Sequence, residues 1–326
     1  MDGVTAPLSV FGFEDGHACG YYRIRQPFDQ LQKAGHDVDT NHGFDERCED
    51  YRVIVGQRVG KPEALPIWRR LAARHKLVYE TDDDVFCIDS WNVEAHLTHS
   101  PEVIDAVEFA ATVAHMVTVS TEPLAEVMRR YNDNVVVLPN HIDAGLLDIE
   151  RPRRDRVTVG WAGGDSHLRD FDMVAPQLRR FLDRNPRVDF HNIGTSFLKA
   201  VKLPGRHTGW RADVWDYYRS IDFDVGIAPL VDMPFNRSKS WIKALEYAAL
   251  GIPVIASDSE PYRPFVVDGV TGWLVRSEHE WGKRLYELCN DTGMREEMGR
   301  AAKARAAEWT IQRGWPMWEA AYRSLM

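Results

Sequence analysis

Short apolar runs alternate with longer amphipathic segments along the whole chain. Short apolar runs are typical of buried strands, and apolar residues spaced three or four apart are typical of helices that pack on a sheet. The pattern predicts strands at 8–13, 52–56, 77–80, 116–120, 135–139, 157–161, 188–193, 224–228, 254–256 and 272–275. It predicts helices at 23–34, 62–75, 102–114, 121–131, 168–184, 211–220, 238–250, 280–290, 294–308 and 311–325.

This alternation predicts an α/β fold class with two Rossmann-like, doubly wound domains. A charged segment at 148–155 contains Pro152 and has the composition of an exposed linker. We therefore expect an N-terminal domain at 1–150 and a C-terminal domain at 151–308, followed by a tryptophan-rich helical segment at 309–326. Two such domains are expected to bring the carboxyl ends of their strands to a shared ligand-binding cleft.

The segment from Ser238 to Gly251 carries the strongest functional signal. Ser238 is a residue type that favours the N-cap of a helix, and Gly251 is typical of a helix end. The first backbone N–H groups of a helix have no intrahelical partner, so they attract anions, and Lys239 adds a positive charge there. The apolar stripe expected to face the core consists of Trp241, Ala244, Leu245 and Ala248.

A second stripe on the same predicted helix is polar and contains Lys239, Lys243 and Glu246. Glu246 would lie roughly 10 Å beyond the helix start, at ~1.5 Å per residue. That distance suits a nucleotide whose diphosphate binds the helix start and whose ribose hydroxyls reach Glu246. The alternative is a solvent-exposed stripe with an ion pair between Lys243 and Glu246.

This segment resembles the donor-binding helix of retaining glycosyltransferases of family 4, which have the two-domain GT-B fold. In that family a "Glu, seven residues, Glu" motif precedes Ala-x-x-Gly-x-Pro-Val, and 248–254 reads Ala-Ala-Leu-Gly-Ile-Pro-Val. The second glutamate maps onto Glu246, whereas Ser238 occupies the first position and cannot act as a carboxylate. The resemblance implies a transferase that uses a nucleotide-diphosphate sugar and retains the anomeric configuration. It also implies that the helix at 309–326 crosses back to the N-terminal domain.

A glycine-rich turn ends the first strand of the second domain, where 160–167 reads Gly-Trp-Ala-Gly-Gly-Asp-Ser-His. Glycines let backbone N–H groups approach a phosphate closely, although a tight turn alone would also explain them. Asn236 precedes the key helix and is expected to contact the nucleobase or the phosphates. Lys239, helped by Lys243 or Arg237, is expected to supply the counter-charge. The predicted donor-binding residues are Gly163, Gly164, His167, Asn236, Ser238, Lys239, Ser240, Lys243 and Glu246.

The turn after the first strand contains Gly16, Gly20 and Arg23. In GT-B enzymes a glycine-rich loop at this place lets the acceptor and the donor phosphates approach. We therefore expect the two glycines to line an acceptor or phosphate loop and Arg23 to meet a phosphate. A surface salt bridge is the alternative for Arg23.

Three carboxylates, Asp82, Asp83 and Asp84, follow the strand at 77–80. We expect Asp83 to bind the acceptor and Asp82 to orient a base or act as one. One alternative is a helix-capping cluster. Another is a metal-dependent glycosyltransferase in which an Asp82-x-Asp84 pair holds a divalent cation.

His96 and His99 are the candidates for a catalytic base, by their position in the first domain. No cofactor is expected to bind tightly, and a divalent metal is not expected to be essential. In the family mechanism the departing phosphate takes the acceptor proton, which lowers the need for a protein base.

The 326-residue chain has a formal net charge of −9, which argues against a generally basic nucleic-acid surface. Four scattered cysteines and the absence of a signal-peptide or membrane-spanning pattern predict a soluble cytoplasmic protein without a membrane span. The acceptor stays open among protein, glycan, lipid, small molecule and modified nucleobase, and so does the oligomeric state. The alternative functions are an epimerase or phosphorylase of the same fold, and a catalytically silent module that binds a nucleotide-sugar or glycan.

Overall fold

The computed structural model describes residues 6–16, 18–90, 93–152 and 154–326. The chain forms two compact units. The first unit comprises the residues up to Asp143, the short segment Ser238–Ser240 and the C-terminal segment Ile311–Met326. The second unit comprises Ala144–Arg237 and Trp241–Thr310.

The first unit is built on a parallel sheet of six strands in the order β2-β1-β3-β4-β5-β6. Its strands are β1 (Ser9–Glu14), β2 (Asp37–His42), β3 (Val53–Gln57), β4 (Lys76–Thr81), β5 (Met116–Val119) and β6 (Val135–Val137). Its helices are α1 (Ala18–Gly20), which continues through a π-turn into α2 (Gln26–Lys33), then α3 (Leu65–Ala72), α4 (Val93–Thr98), α5 (Pro101–Val113) and α6 (Glu122–Met128). The strand order reverses between β1 and β3, which creates a topological switch point there.

Apolar side chains cover both faces of this first sheet, because the strands alternate their side chains between the two faces. One cluster includes Phe11, Ile54, Tyr79 and Val117. The opposite cluster includes Val10, Val55, Val78 and Met116, together with Trp318 and Tyr322. The last two belong to the C-terminal segment, so Ile311–Met326 is part of the core of the first unit.

The second unit has a parallel sheet of six strands in the order β12-β11-β10-β7-β8-β9. Its strands are β7 (Thr158–Gly163), β8 (Asp189–Gly194), β9 (Arg206–Thr208), β10 (Val225–Ala228), β11 (Val254–Ser257) and β12 (Gly272–Val275). Its helices are α7 (Leu168–Arg184), α8 (Val214–Ser220), α9 (Pro234–Arg237), α10 (Ile242–Ala249), α11 (Glu278–Asn290) and α12 (Thr292–Ala306). The switch point of this sheet lies between β7 and β10.

The C-terminal segment forms two short helices, α13 (Ile311–Gly314) and α14 (Pro316–Arg323), where the sequence predicts one. Pro316 lacks a backbone N–H, so it begins a new helix instead of continuing the preceding one. The predicted fold class, α/β with two doubly wound Rossmann-like parts, is confirmed by the two parallel sheets. In the described part of the chain, no helix is long and apolar enough to cross a membrane.

Candidate functional site

The carboxyl end of β7 is held by α10 at the switch point of the second sheet. β7 pairs with β10 only through Val159 and Gly160. Two residues further on, the backbone N–H of Ala162 donates a hydrogen bond to the Tyr247 hydroxyl at 2.8 Å. The Lys243 ammonium donates to the carbonyl oxygen of the same Ala162. α10 thus takes the place of a strand partner where ligands bind in this class of sheet.

Lys243 brings a positive charge beneath the glycine turn that follows β7. The side chain is buried, and its ammonium lies 4.8 Å from the centroid of the Trp161 ring. A Cβ atom on Gly163 would approach the Lys243 Nζ atom to 2.6 Å. Position 163 requires glycine, because a side chain there would displace either the Lys243 ammonium or the Trp161 ring. Gly163 and Lys243, two of the residues predicted from the sequence to bind the donor, therefore lie next to each other.

Asp170 links two other predicted donor residues, His167 and Asn236. The His167 Nδ1 atom lies 2.7 Å from one Asp170 carboxylate oxygen. The other oxygen accepts hydrogen bonds from the Asn236 amide at 2.7 Å and from the backbone N–H of Val231 at 2.8 Å. The second hydrogen of the Asn236 amide is donated to the Val231 carbonyl at 3.0 Å. Asn236 is thus fixed within α9 by Asp170 and Val231, and its contact with the base or the phosphates stays a prediction.

Glu246 is a buried carboxylate, 5% exposed, on the same helix as Lys243. It accepts a hydrogen bond from the Tyr217 hydroxyl at 2.9 Å. Burial and the nearby Glu246 charge raise the pKa of Tyr217, so this phenol stays protonated and keeps donating. The alternative of a solvent-exposed stripe is wrong, because both Lys243 and Glu246 are buried. The predicted core stripe of Trp241, Ala244, Leu245 and Ala248 is buried as expected.

An exposed tryptophan lies beside this group. The Trp210 ring is 6.2 Å from the Tyr217 ring, and 53% of the residue is exposed. A Cβ on Gly164 would come within 3.7 Å of the Trp210 ring, and one on Gly194 within 3.3 Å. Trp210 therefore lies over the glycines at the ends of β7 and β8 and presents an apolar face to solvent.

The predicted start of the key helix is wrong. α10 begins at Ile242, and Ser238 makes no N-cap. Ser238, Lys239 and Ser240 form a non-helical segment of the first unit instead. The Thr121 hydroxyl donates to the Ser238 carbonyl at 2.8 Å and the Asn140 amide donates to the Ser240 hydroxyl at 2.8 Å, and these contacts hold the segment out of a helix. Glu246 therefore lies four residues beyond the helix start, ~6 Å away instead of 10 Å.

A charged cluster occupies the carboxyl ends of β1, β3 and β4 in the first unit. The Arg58 guanidinium donates to Asp82 at 2.6 Å and to Asp83 at 2.7 Å, and it lies 3.3 Å from Asp15. The Lys239 ammonium lies 3.7 Å from Asp83. Burial raises the pKa of Asp82, but the Arg58 charge outweighs it and holds that pKa below its usual value. Asp82 is therefore a weak base near neutral pH.

Asp84 lies apart from this cluster in its contacts, since its carboxylate caps the turn that begins at Val85 and accepts from the Phe86 N–H at 3.2 Å. Capping was one of the alternatives for the three aspartates. Among the described residues, no group of three or more His, Cys, Asp or Glu side chains is placed to hold a metal ion.

Arg23 is not a phosphate ligand or a surface ion pair, and both predictions for it are wrong. It is fully buried and bonds to both Glu80 oxygens, at 2.8 and 3.1 Å. Its remaining amino group donates to the Leu138 carbonyl and to the Asn140 side chain. Every side of the guanidinium thus meets buried protein groups, so Arg23 has a structural role.

The predicted glycine loop is shorter than expected. Gly20 is helical, and a Cβ there would meet the Glu14 carboxylate at 2.7 Å, so this glycine serves helix packing. Gly16, with φ of 76°, stays in the turn after β1. The turn residue His17 lies outside the described part of the chain.

The two candidate histidines lie on and just after α4. His96 is exposed, and the His99 Nδ1 atom lies 2.7 Å from the Ala95 carbonyl. Their catalytic role stays a prediction.

Sequence reasoning missed Arg58, Gln57 and Tyr217 as site residues. Gln57 and Arg58 come directly after a predicted strand, so strand-end position was the signal that could have found them.

Part of the second unit is similar in sequence to known glycosyltransferases. Residues 210–305 match the family described as glycosyl transferases group 1. A D-inositol 3-phosphate glycosyltransferase of Kribbella flavida is 32% identical over 165 residues, which cover 50% of this chain and 34% of that protein. A protein of the same name from Paenarthrobacter aurescens is 36% identical over 88 residues, or 26% of this chain and 22% of that protein. The chain thus spans about a third or less of these curated relatives.

Solved structures of similar fold cover nearly the whole chain. Sucrose-phosphate synthase from Thermosynechococcus elongatus has a TM-score of 0.70 and 14% identity, covering 98% of this chain and 99% of that one. HepE of Anabaena in complex with UDP and glucose has a TM-score of 0.67 and 16% identity, covering 97% and 99%. The whole chain therefore has the two-domain GT-B fold, and its residues 210–305 are similar to the glycosyl transferases group 1.

Proposed function

We propose that this protein transfers a sugar from a nucleoside diphosphate to an acceptor hydroxyl, with retention of the anomeric configuration, as a family 4-like enzyme. One observation carries the proposal. α10 presents a buried ammonium, Lys243, and a buried carboxylate, Glu246, at the switch point of the second sheet. Both lie within the segment that matches the glycosyltransferase family. Burial of a charged group costs free energy, so two buried charges on one helix indicate a functional or structural role.

In this proposal the diphosphate lies on the Gly163–Gly164 turn and on the first backbone N–H groups of α10. Lys243 then stabilises the negative charge that builds on the leaving diphosphate as the bond to the sugar breaks. Glu246 accepts hydrogen bonds from the ribose hydroxyls, and Trp210 stacks on the nucleobase. The departing phosphate oxygen takes the proton of the attacking acceptor hydroxyl, which removes the need for a strong protein base.

We further propose that the second unit binds the donor, with domain limits near 151–308, and that the first unit, near 1–150, binds the acceptor. Lys239, which the sequence assigned to the phosphates, lies beside Asp83 in the first unit. Lys243 takes over the main counter-charge in this proposal.

A silent nucleotide-sugar or glycan-binding module is the second candidate. Ser238 favours it, because this residue stands where the family has a glutamate and therefore supplies no carboxylate.

Donor hydrolysis by the full chain separates the two candidates. Many transferases slowly hydrolyse their donor without an acceptor, so we expect release of nucleoside diphosphate from one member of a panel of UDP-, GDP- and ADP-sugars. Lys243→Met, which keeps the side-chain length and removes the charge, should abolish this release. Lys283→Met, at a lysine whose side chain is 64% exposed, is the matched control and should behave as the unmodified chain.

Three results are informative. Hydrolysis lost only in Lys243→Met supports the transferase. Binding of a nucleotide-sugar without hydrolysis, and without transfer to any acceptor, favours the silent module. A chain that binds none of the panel overturns both the transferase and the nucleotide-sugar-binding module. Retention is tested on the first transfer product, whose anomeric configuration is read by NMR coupling constants.

A further inference from the structure

The switch point of the first sheet, between β1 and β3, carries polar groups that the donor site does not use. Asp15 follows β1, Gln57 ends β3, Arg58 follows it, and Asp82 and Asp83 follow β4. We call these five residues the switch-point cluster. Ligands of open parallel sheets bind outside the carboxyl ends of the strands at such a point.

Gln57 gives the first sign that the switch-point cluster binds a ligand. The residue is only 6% exposed, and its Oε1 atom accepts a hydrogen bond from the Asp15 backbone N–H at 3.2 Å. Its Nε2 atom is buried and has no hydrogen-bond partner among the described residues. A buried amide donor without an acceptor costs about 1–3 kcal/mol. Because the amide is anchored beside Asp15, Nε2 offers its hydrogens to an oxygen atom at the cluster.

Arg58 gives the second sign, because its backbone is held in an unusual conformation. Its φ of 50° lies in the left-handed region, which non-glycine residues rarely adopt. The backbone N–H donates to the Glu80 carbonyl at 2.8 Å and holds this conformation. The guanidinium consequently lies among Asp15, Asp82 and Asp83. Strain of this kind persists where the surrounding structure fixes it, and it is concentrated at functional sites.

The charge around the cluster decides which ligand fits. Three carboxylates, those of Asp15, Asp82 and Asp83, meet there against the two cations Arg58 and Lys239. The balance is one negative charge in excess, and each of the cations already pairs with a carboxylate. A phosphate group would therefore meet net repulsion. Hydroxyl groups would instead donate to the carboxylates and accept from the Gln57 amide.

We propose that the switch-point cluster binds an uncharged polyhydroxyl compound, a sugar or cyclic polyol without a phosphate group. Resting on the function proposed above, that compound is the acceptor of the transfer. This chain would then differ in its acceptor from the D-inositol 3-phosphate that the names of its curated relatives specify.

The side-chain amide signal of Gln57 reports directly on the cluster. The full chain is labelled with ¹⁵N-glutamine, and the Gln57 signal is assigned by its loss in Gln57→Leu. Matched pairs are then titrated by NMR: myo-inositol with its 3-phosphate, and glucose and galactose with their 6-phosphates. Gln32, which is exposed on α2, provides the control signal in the same spectra. Thermal unfolding checks that Gln57→Leu is folded, and Gln57→Glu is the second variant if it is not.

We expect at least one uncharged compound to shift the Gln57 signal and leave that of Gln32 in place. Its phosphorylated partner should bind at least about tenfold more weakly, equivalent to about 1.4 kcal/mol. Asp83→Asn, which removes the excess negative charge, should narrow this difference. Tighter binding of the phosphorylated partner overturns the proposal. No shift with any uncharged compound at concentrations on the order of 100 mM overturns it too, since such a Kd means only about −1.4 kcal/mol of binding.

Binding of UDP, GDP and ADP and of their sugars, measured by calorimetry in the same samples, keeps this inference separate from the proposed function. A response of Gln57 without any nucleotide or nucleotide-sugar binding leaves a polyol site and overturns the transferase. Nucleotide binding and donor hydrolysis without a Gln57 response leave the transferase and overturn the polyol site.

Discussion

A Glu246→Ala variant tests whether the buried carboxylate of α10 contacts the donor. It is 5% exposed and is held by the Tyr217 hydroxyl at 2.9 Å. If it accepts hydrogen bonds from ribose hydroxyls, Glu246→Ala should weaken UDP binding by about 1–3 kcal/mol. Calorimetric titration with UDP measures this loss. Tyr217→Phe removes one orienting hydrogen bond and keeps the carboxylate, so its effect should be smaller; equal affinities for Glu246→Ala and the unmodified chain would take Glu246 out of the site.

Trp210 offers a different interaction, because its exposed ring can stack on a flat nucleobase. Trp210→Ala should lower UDP affinity by about 0.5–1.5 kcal/mol, the usual value of an aromatic pair. The melting temperature should hardly change, since 53% of the residue is already exposed. Trp210→Phe should recover part of the affinity. The control is Tyr286→Ala, at an aromatic residue that is 60% exposed on α11; a similar loss of affinity there would argue against stacking at Trp210.

The packing of β7 on α10 depends on the absence of a side chain at Gly163. Gly163→Ala places a methyl group 2.6 Å from the Lys243 ammonium and 2.7 Å from the Trp161 ring. Relief of this clash moves Lys243 away from the Ala162 carbonyl or shifts the turn itself. We expect donor hydrolysis to fall at least about tenfold, which corresponds to about 1.4 kcal/mol in the barrier.

Gly209→Ala is the matched control for this variant. Gly209 lies next to Trp210, and apart from Gly209 and its two chain neighbours no described residue has a heavy atom within 4 Å of the position that its Cβ would take. Hydrolysis by Gly209→Ala should stay close to that of the unmodified chain. Normal hydrolysis by Gly163→Ala, in a protein of normal stability, would show that the Lys243 position does not matter for the donor.

Strands with continuous apolar runs were predictable, because burial on both faces leaves a clear pattern. β3, β5, β7 and β11 all lie within one or two residues of their predicted positions. β2 was missed since its sequence, Asp-Val-Asp-Thr-Asn-His, is polar and half-buried at a sheet edge. The three-residue β9 is too short to give any periodic signal.

The helix starts and ion pairs were less predictable, because distant residues decide them. The sequence of Ser238–Ser240 favours a helix start, but hydrogen bonds from Thr121 and Asn140 hold this segment in the first unit in a non-helical conformation. Lys243 and Glu246 were found because helical spacing placed them on one stripe. Arg23 was misassigned because its partner Glu80 lies 57 residues away, and no local pattern reports such a pairing.

Two buried titratable groups, one in each unit, make the free energy of unfolding depend on pH in the acid range. In the first unit, burial lowers the pKa of His141 to about 4, helped by the charge of Arg23 and opposed by its bond to the Pro139 carbonyl. In the second unit, burial raises the pKa of Asp222, but hydrogen bonds from His191 and Arg206 outweigh it and bring the value to about 2. Both pKa values lie below their ordinary ranges.

For both groups a fall in pH lowers the stability of the folded chain, but the two losses occur in different pH ranges. The unfolded chain binds a proton at His141 near pH 6.5 and the folded chain only near pH 4, so stability falls between these values by up to about 3 kcal/mol. Asp222 is ionised and stabilising above about pH 4, and its contribution of up to about 2 kcal/mol is lost as the pH falls toward 2. Acid should therefore destabilise the first unit before the second.

Urea unfolding followed from pH 7 to pH 2.5 measures both windows. His141→Gln keeps a polar side chain that does not titrate. The loss of unfolding free energy between pH 6.5 and 4 should therefore disappear, even if this variant is less stable at pH 7. Asp222→Asn should instead flatten the loss below pH 4. His96→Gln, at an exposed histidine of the same unit, serves as the control and should follow the unmodified chain. If His141→Gln keeps the slope between pH 6.5 and 4, another group in the chain sets its response to mild acid.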